Sequence, residues 1–157
     1  EAVAAHADAE TRLAITLALE TCLRRGSIAA LEWGSIDLAE RVLTLETSKS
    51  GQPIRVPLSR RAAAALEAWR PREARTGRVL TLHPDTISHR FARAAQAAGV
   101  TGLRYHDLRH TAATRLLEAG VPWPIVQYLG GWRSVGAMRR YLGIRVSSAR
   151  AALDALE

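Results

Sequence analysis

His106-Asp107-Leu108-Arg109-His110-Thr111-Ala112-Ala113-Thr114-Arg115-Leu116-Leu117-Glu118-Ala119-Gly120 is the stretch on which the fold turns. It holds no proline, and its glycine stands at the end, so it predicts a helix from about His106 to Ala119 stopped by Gly120. Positions 106, 109, 110, 113 and 117 share one face of such a helix. Ala113 and Leu117 turn that face inward, so His106, Arg109 and His110 begin a stripe that ends in the core. A guanidinium there is costly to bury unless an anion meets it. The anion is either an Asp or Glu from another helix or something bound from outside.

Working back toward the N-terminus, apolar spacing predicts a helix from about 9 to 25, broken by Gly26-Ser27. Ser27 is placed to cap a short helix through Leu31. Two alternating runs follow, with Leu43 and Leu45 on one face of the first and Ile54, Val56 and Leu58 on one face of the second. Ser48-Lys49-Ser50-Gly51 joins them, which reads as an antiparallel hairpin with Lys49 near the tip. A helix from about Ser59 to Trp69 ends before Pro71. Val79-Leu80 is read as a short third strand, and Asp85 or Thr86 as the cap of a helix ending at Gly99. Toward the C-terminus come a short helix from Pro124 to Leu129, a break at Gly130-Gly131, a helix from Ser134 to Leu142, and an amphipathic piece after Ser148. The expected fold is α+β: one mainly helical domain over residues 1–157 carrying a small antiparallel sheet.

The formal charge is +7, and 21 of the 22 Lys and Arg residues are arginine. Clustered cations gain affinity for a polyanion by displacing its counterions, so a nucleic acid partner fits, although arginine richness also follows from genome base composition. No apolar run approaches the roughly 18–20 residues of a membrane span, and no secretory leader is visible, so a soluble intracellular protein is expected. The single cysteine, Cys22, lies on the apolar stripe Ile15–Leu19–Cys22–Leu23 and is read as a buried, inert thiol. The only methionine is Met138, so the chain is read as part of something longer or as a processed product.

Four further residues invite a chemical reading beside a plain one. Lys49, the only lysine, offers an ammonium that can give up its proton, as a general acid must, or it is an exposed turn residue. Tyr141 stands at the edge of the stripe Val135, Met138 and Leu142, where its phenol either faces a cleft or is merely wet. Trp132 follows the glycine pair and is ordinarily a packing residue. Arg24, at the end of the first helix, is ordinarily a cation set against the helix dipole.

In order and spacing these residues resemble the tyrosine recombinase (phage integrase) family. Thr21-Cys22-Leu23-Arg24-Arg25-Gly26 is similar to its first-arginine box. Thr47-Ser48-Lys49-Ser50-Gly51, followed by Arg55-Val56-Pro57-Leu58, resembles its lysine hairpin, and His106-Asp107-Leu108-Arg109-His110-Thr111 its His-x-x-Arg box. Leu129-Gly130-Gly131-Trp132, with Tyr141 nine residues beyond, matches its closing box, in which members carry His or Trp at the position of Trp132. The likeness runs from Arg12 to about Arg145.

The resemblance implies the family's catalytic-domain fold and a site-specific recombinase acting through a 3′-phosphotyrosyl intermediate. Tyr141 would be the nucleophile. Arg24 and Arg109 would grip the non-bridging oxygens, joined by Lys49, which would also protonate the leaving 5′-oxygen. His106 would accept a proton or bind phosphate, and Trp132 would donate its indole N–H or buttress the site. Neither metal nor nucleotide cofactor is implied. The implied partner is double-stranded DNA, bound by a homotetramer on paired sites and a monomer in free solution, in the cytoplasm of a bacterium or phage-infected host. The family's core-binding and arm-binding domains are not in this sequence. One departure stands out: the family usually has a carboxylate three residues after Arg24, where this chain has Ser27, and Glu32 is a candidate substitute. The rival readings are a type IB topoisomerase, which relaxes DNA without exchanging strands, and a DNA-binding module that has lost catalysis.

Overall fold

In a computed structural model of the protein, residues 1–46, 53–71, 76–132 and 154 are described. The elements run α1 (Ala2–Ala5), α2 (Ala9–Thr21), α3 (Arg25–Ala29), a 3-10 turn (Trp33–Ser35), β1 (Ile36–Asp37), β2 (Val42–Leu45), β3 (Ile54–Pro57), α4 (Arg60–Trp69), α5 (Pro84–Ala97), α6 (Tyr105–Glu118) and α7 (Trp123–Gly130). Helix α2 is the spine. Its Leu13, Ile15 and Leu17 are buried, and it packs against both α4 and α6. The Tyr105 phenol donates 2.7 Å to the carbonyl of Ala14, fixing the start of α6 on that spine.

The first helix ends four residues short of the expected Arg25. The Thr21 hydroxyl donates to the Leu17 carbonyl and accepts from the Leu23 amide, while Cys22 takes a left-handed conformation with φ 58°. A hydroxyl that satisfies backbone groups competes with helix continuation. Arg24 is therefore the first flanking residue of α3 rather than the tail of α2. Gly26 and Ser27 lie inside α3, so Ser27 caps nothing and the expected break falls earlier.

The sheet is antiparallel in the order β1-β2-β3, with Ile36 opposite Leu43, Leu43 opposite Val56, and Leu45 opposite Ile54. Leu43 and Val56 are fully buried, as the alternation requires. The third strand is Ile36–Asp37, not Val79-Leu80. Around the latter only an isolated bridge, Glu32 to Arg78, forms, and Val79 and Leu80 are buried by packing. The hairpin tip with Lys49 lies outside the described residues, as do the expected helix 134–142 and the piece after Ser148.

Ser59 caps α4 by accepting from the Ala62 amide at 3.1 Å. Helix α5 begins earlier than expected, capped by His83 with Pro84 as its first residue. Proline has no N–H to leave unsatisfied and is preset for a first turn. Asp85 is thereby released to pair with Arg25 at 2.9 Å. Helix α6 starts one residue before His106 and stops, as expected, before Gly120, whose φ is +79°.

The start of α6 is held by Asp107, whose carboxylate accepts from the Arg104 amide at 2.8 Å. That backbone hydrogen bond, helped by the Arg104 side chain against a desolvation effect, keeps the Asp107 carboxyl below its ordinary value. Asp107→Ala should cost about 1 kcal/mol in a urea or thermal melt at neutral pH. A lowered folded-state value means the contribution is full above the ordinary carboxylate range and fades as pH falls through the folded value. The gap between wild type and variant should therefore close under acid. An unchanged melt at neutral pH would contradict the role.

Candidate active site

A second, smaller apolar cluster of Cys22, Ala112, Ala113 and Val126 joins the end of α2 to α6 and α7, with Trp132 packed against it. At its edge sits Arg109, only 3% exposed. The guanidinium donates through Nη1 to the Cys22 carbonyl at 2.6 Å and through Nη2 to the Gly130 carbonyl at 2.5 Å. The left-handed Cys22 is what frees its carbonyl from helix bonding, since the helix has already ended. Of the two anions open to the sequence, an internal carboxylate is not the one found: among the described residues neither Arg109 nor Arg24 pairs with an Asp or Glu.

Arg24 approaches from α3 and donates 3.1 Å to the carbonyl of Gly131. Gly131, with φ +60°, closes the C-terminus of α7. The two arginines thus rest on consecutive carbonyls, Gly130 and Gly131, at the end of a helix where partial negative charge gathers. That anchoring brings two like charges together. Burial, and then the charge on Arg24, push Arg109 down to about 10, so it remains cationic near neutral pH. Backbone carbonyls accept two of its five N–H groups, leaving donors for an incoming anion.

Both arginines line an open cleft of about 1650 Å³, walled also by Ser27, Glu32, Arg55, Arg70 and Tyr128. Ser27 is half-buried there, and Glu32 is exposed and makes no ion pair with either arginine among the described residues. Trp132 lies face-on to Arg109, with the guanidinium carbon 3.9 Å from a ring centroid. Such a contact holds a cation in orientation while leaving its N–H edge available.

His106 is exposed on the first turn of α6 and packs edge-to-face on His110, their centroids 4.8 Å apart; it does not wall the cleft. So Arg24, Arg109 and Trp132 converge, His106 stands one turn away, and Lys49 and Tyr141 lie outside the described residues. The carbonyls of Cys22, Gly130 and Gly131 were not foreseen as parts of the site. The Gly130-Gly131 helix stop was a usable signal, whereas nothing in residue type marks Cys22 as left-handed.

Cys22 is 1% exposed, and burial pushes its thiol up to about 11 although Arg109 pulls the other way. Since the thiolate is the attacking form, a disulfide reagent should label native protein about two orders of magnitude more slowly than urea-unfolded protein. Equal labelling rates in a thiol assay would contradict this burial.

The sequence pattern of the Phage integrase family matches residues 1–147. The chain is 35% identical over 144 residues to the integrase of Salmonella phage P22, covering 81% of this chain and 37% of that protein. It is 36% identical over 140 residues to a shufflon-specific DNA recombinase of Escherichia coli, covering 88% and 36%. It thus spans little more than a third of either relative. Among solved structures, the integrase from mycobacterium phage Brujita superposes with TM-score 0.70 at 30% identity, over 92% of this chain and 50% of that one. The helical arrangement with its three-stranded sheet is shared with such structures.

Proposed function

The chain belongs to the phage integrase family, and from that premise we propose that it is the catalytic domain of a site-specific recombinase that cuts and rejoins double-stranded DNA. The observation that carries the reading is Arg109: a buried guanidinium on backbone carbonyls, with Arg24 beside it and no carboxylate for either among the described residues. A phosphodiester presents two non-bridging oxygens to such a pair, and bidentate donors meet the charge that develops at phosphorus.

In the proposed reaction the Tyr141 oxygen attacks phosphorus in line, forming a 3′-phosphotyrosyl ester as the bond to the 5′-oxygen breaks. Lys49 gives its proton to that oxygen. His106 accepts a proton or binds phosphate from the N-terminal turn of α6, where helix amides favour an anion. Trp132 buttresses Arg109. The ester conserves the bond energy, so a 5′-hydroxyl from another strand reverses the attack. Two relatives support the substrate, one of them by name a DNA recombinase. The protein acts as a tetramer on paired sites and is a monomer in free solution, in the cytoplasm of a bacterium or phage-infected host. Among the described residues, no helix is long and apolar enough to cross a membrane.

The test uses nicked duplexes that carry a candidate attachment site taken from the DNA beside the gene, in which the freed 5′-fragment diffuses away and traps the adduct. The expected result is a protein–DNA band that survives denaturation. Binding without any such band would overturn the enzymatic reading in favour of a DNA-binding module. Relaxation of supercoiled plasmid, with no recombinants from two cognate duplexes, would replace strand exchange by topoisomerase action.

A further inference from the structure

The geometry points to Gly130 as a positioning residue: its missing side chain is the slot that lets the Trp132 indole lie over Arg109. Gly130 is the last residue of α7 and is buried, and its φ is not positive, so its backbone does not call for glycine. Its surroundings do. A β-carbon there would fall 1.7 Å from Cζ3, 2.1 Å from Cε3 and 2.4 Å from Cη2 of Trp132. At Gly26, Gly99 and Gly120 the same carbon would meet nothing within 4 Å.

The backbone that carries the indole is held in place. Gln127 brackets the Trp132 backbone, its carbonyl accepting from the Trp132 amide at 3.1 Å and its side-chain amide donating to the Trp132 carbonyl at 2.9 Å. The ring face is 3.9 Å from Arg109, which itself donates to the Gly130 carbonyl. Any side chain at 130 would therefore lift the ring off the guanidinium and disturb the carbonyl that anchors it. Three of the overlapping atoms belong to the six-membered ring that histidine lacks. The size of residue 130 thus sets which aromatic residue 132 can carry.

The catalytic half of this inference rests on the function proposed above, so the experiment has two readouts. Gly130→Ala is made in wild type and in Trp132→His, and each protein is melted and assayed in single-turnover cleavage of the nicked duplex. In wild type, Gly130→Ala should lower Tm by about 4 °C or more. It should also slow cleavage at least about tenfold with little change in DNA affinity, because a displaced group costs rate before binding. In the Trp132→His background the same change should leave cleavage within about twofold and Tm level or higher, since alanine favours a helix over glycine and the paired sites no longer clash. An equal loss in both backgrounds, or no loss in wild type, would overturn the pairing. If wild type forms no adduct at all, the proposed function falls, and the melting cycle alone still decides the steric pairing.

Discussion

Arg109→Lys is expected to slow covalent adduct formation by about 10²–10³, and Arg109→Ala by more, both measured in single turnover with DNA above saturation. The lysine keeps the charge but not the fork. At present one guanidinium reaches two carbonyls, Cys22 and Gly130, on separate elements while keeping donors in hand for an anion. An ammonium cannot span both and still present two parallel donors to phosphate. Alanine adds a structural penalty, since two buried carbonyls lose their partner at about 1–3 kcal/mol each. The melt separates the two effects: Arg109→Lys should lose far more rate than stability. The depressed value of Arg109, about 10, adds a sign. Burial and Arg24 disfavour its charged form in the fold, so the charge costs stability at every pH below that value. Bound phosphate relieves the cost, and anion affinity should fall as pH rises toward 10. A folded Arg109→Lys protein that cleaves within about tenfold of wild type would remove Arg109 from the reaction.

The sequence foretells the fold where side-chain pattern and chemistry agree. The α6 stripe predicts Arg109 facing inward, and it is inward, with Ala113 on the same face fully buried. The pairing of β2 with β3 follows from alternation, and Leu43 and Val56 do face each other in the core. The departures have three separate causes. Cys22 bends the chain through a left-handed conformation that its residue type does not advertise, so α2 ends at Thr21 rather than near residue 25 and Arg24 flanks α3 instead of closing α2. His83, rather than Asp85 or Thr86, caps α5 because a proline decides where the helix begins. Val79-Leu80 has a strand's composition, but it is buried as part of the main apolar core and its surroundings form only an isolated bridge, so the third strand is Ile36–Asp37 instead. The arginine pair is legible only through the family resemblance, and of its main-chain anchors only the Gly130-Gly131 stop leaves a mark in the sequence.

Tyr141→Phe is expected to abolish the denaturation-resistant adduct, a loss of at least about 10⁴-fold, with duplex binding retained in a gel shift. Phenylalanine keeps the aromatic ring and removes only the oxygen that forms the new bond. The chain has three tyrosines, which makes the prediction a choice among them. Tyr105 is 4% exposed, donates to the Ala14 carbonyl, and burial raises its phenol above the ordinary range, so it can neither reach nor attack a phosphate. Tyr128 is the serious rival. It is 52% exposed, walls the same cleft as Arg24 and Arg109, and donates 2.9 Å to the Arg55 carbonyl. Its hydroxyl is committed to holding α7 against β3, a role in which losing one exposed hydrogen bond costs about 0.5–1.5 kcal/mol. Tyr128→Phe should therefore still form the adduct, at most about tenfold more slowly, the rate equivalent of that bond. The reverse pattern, with the adduct lost in Tyr128→Phe and kept in Tyr141→Phe, would move the nucleophile onto α7, beside the carbonyls that hold the two arginines.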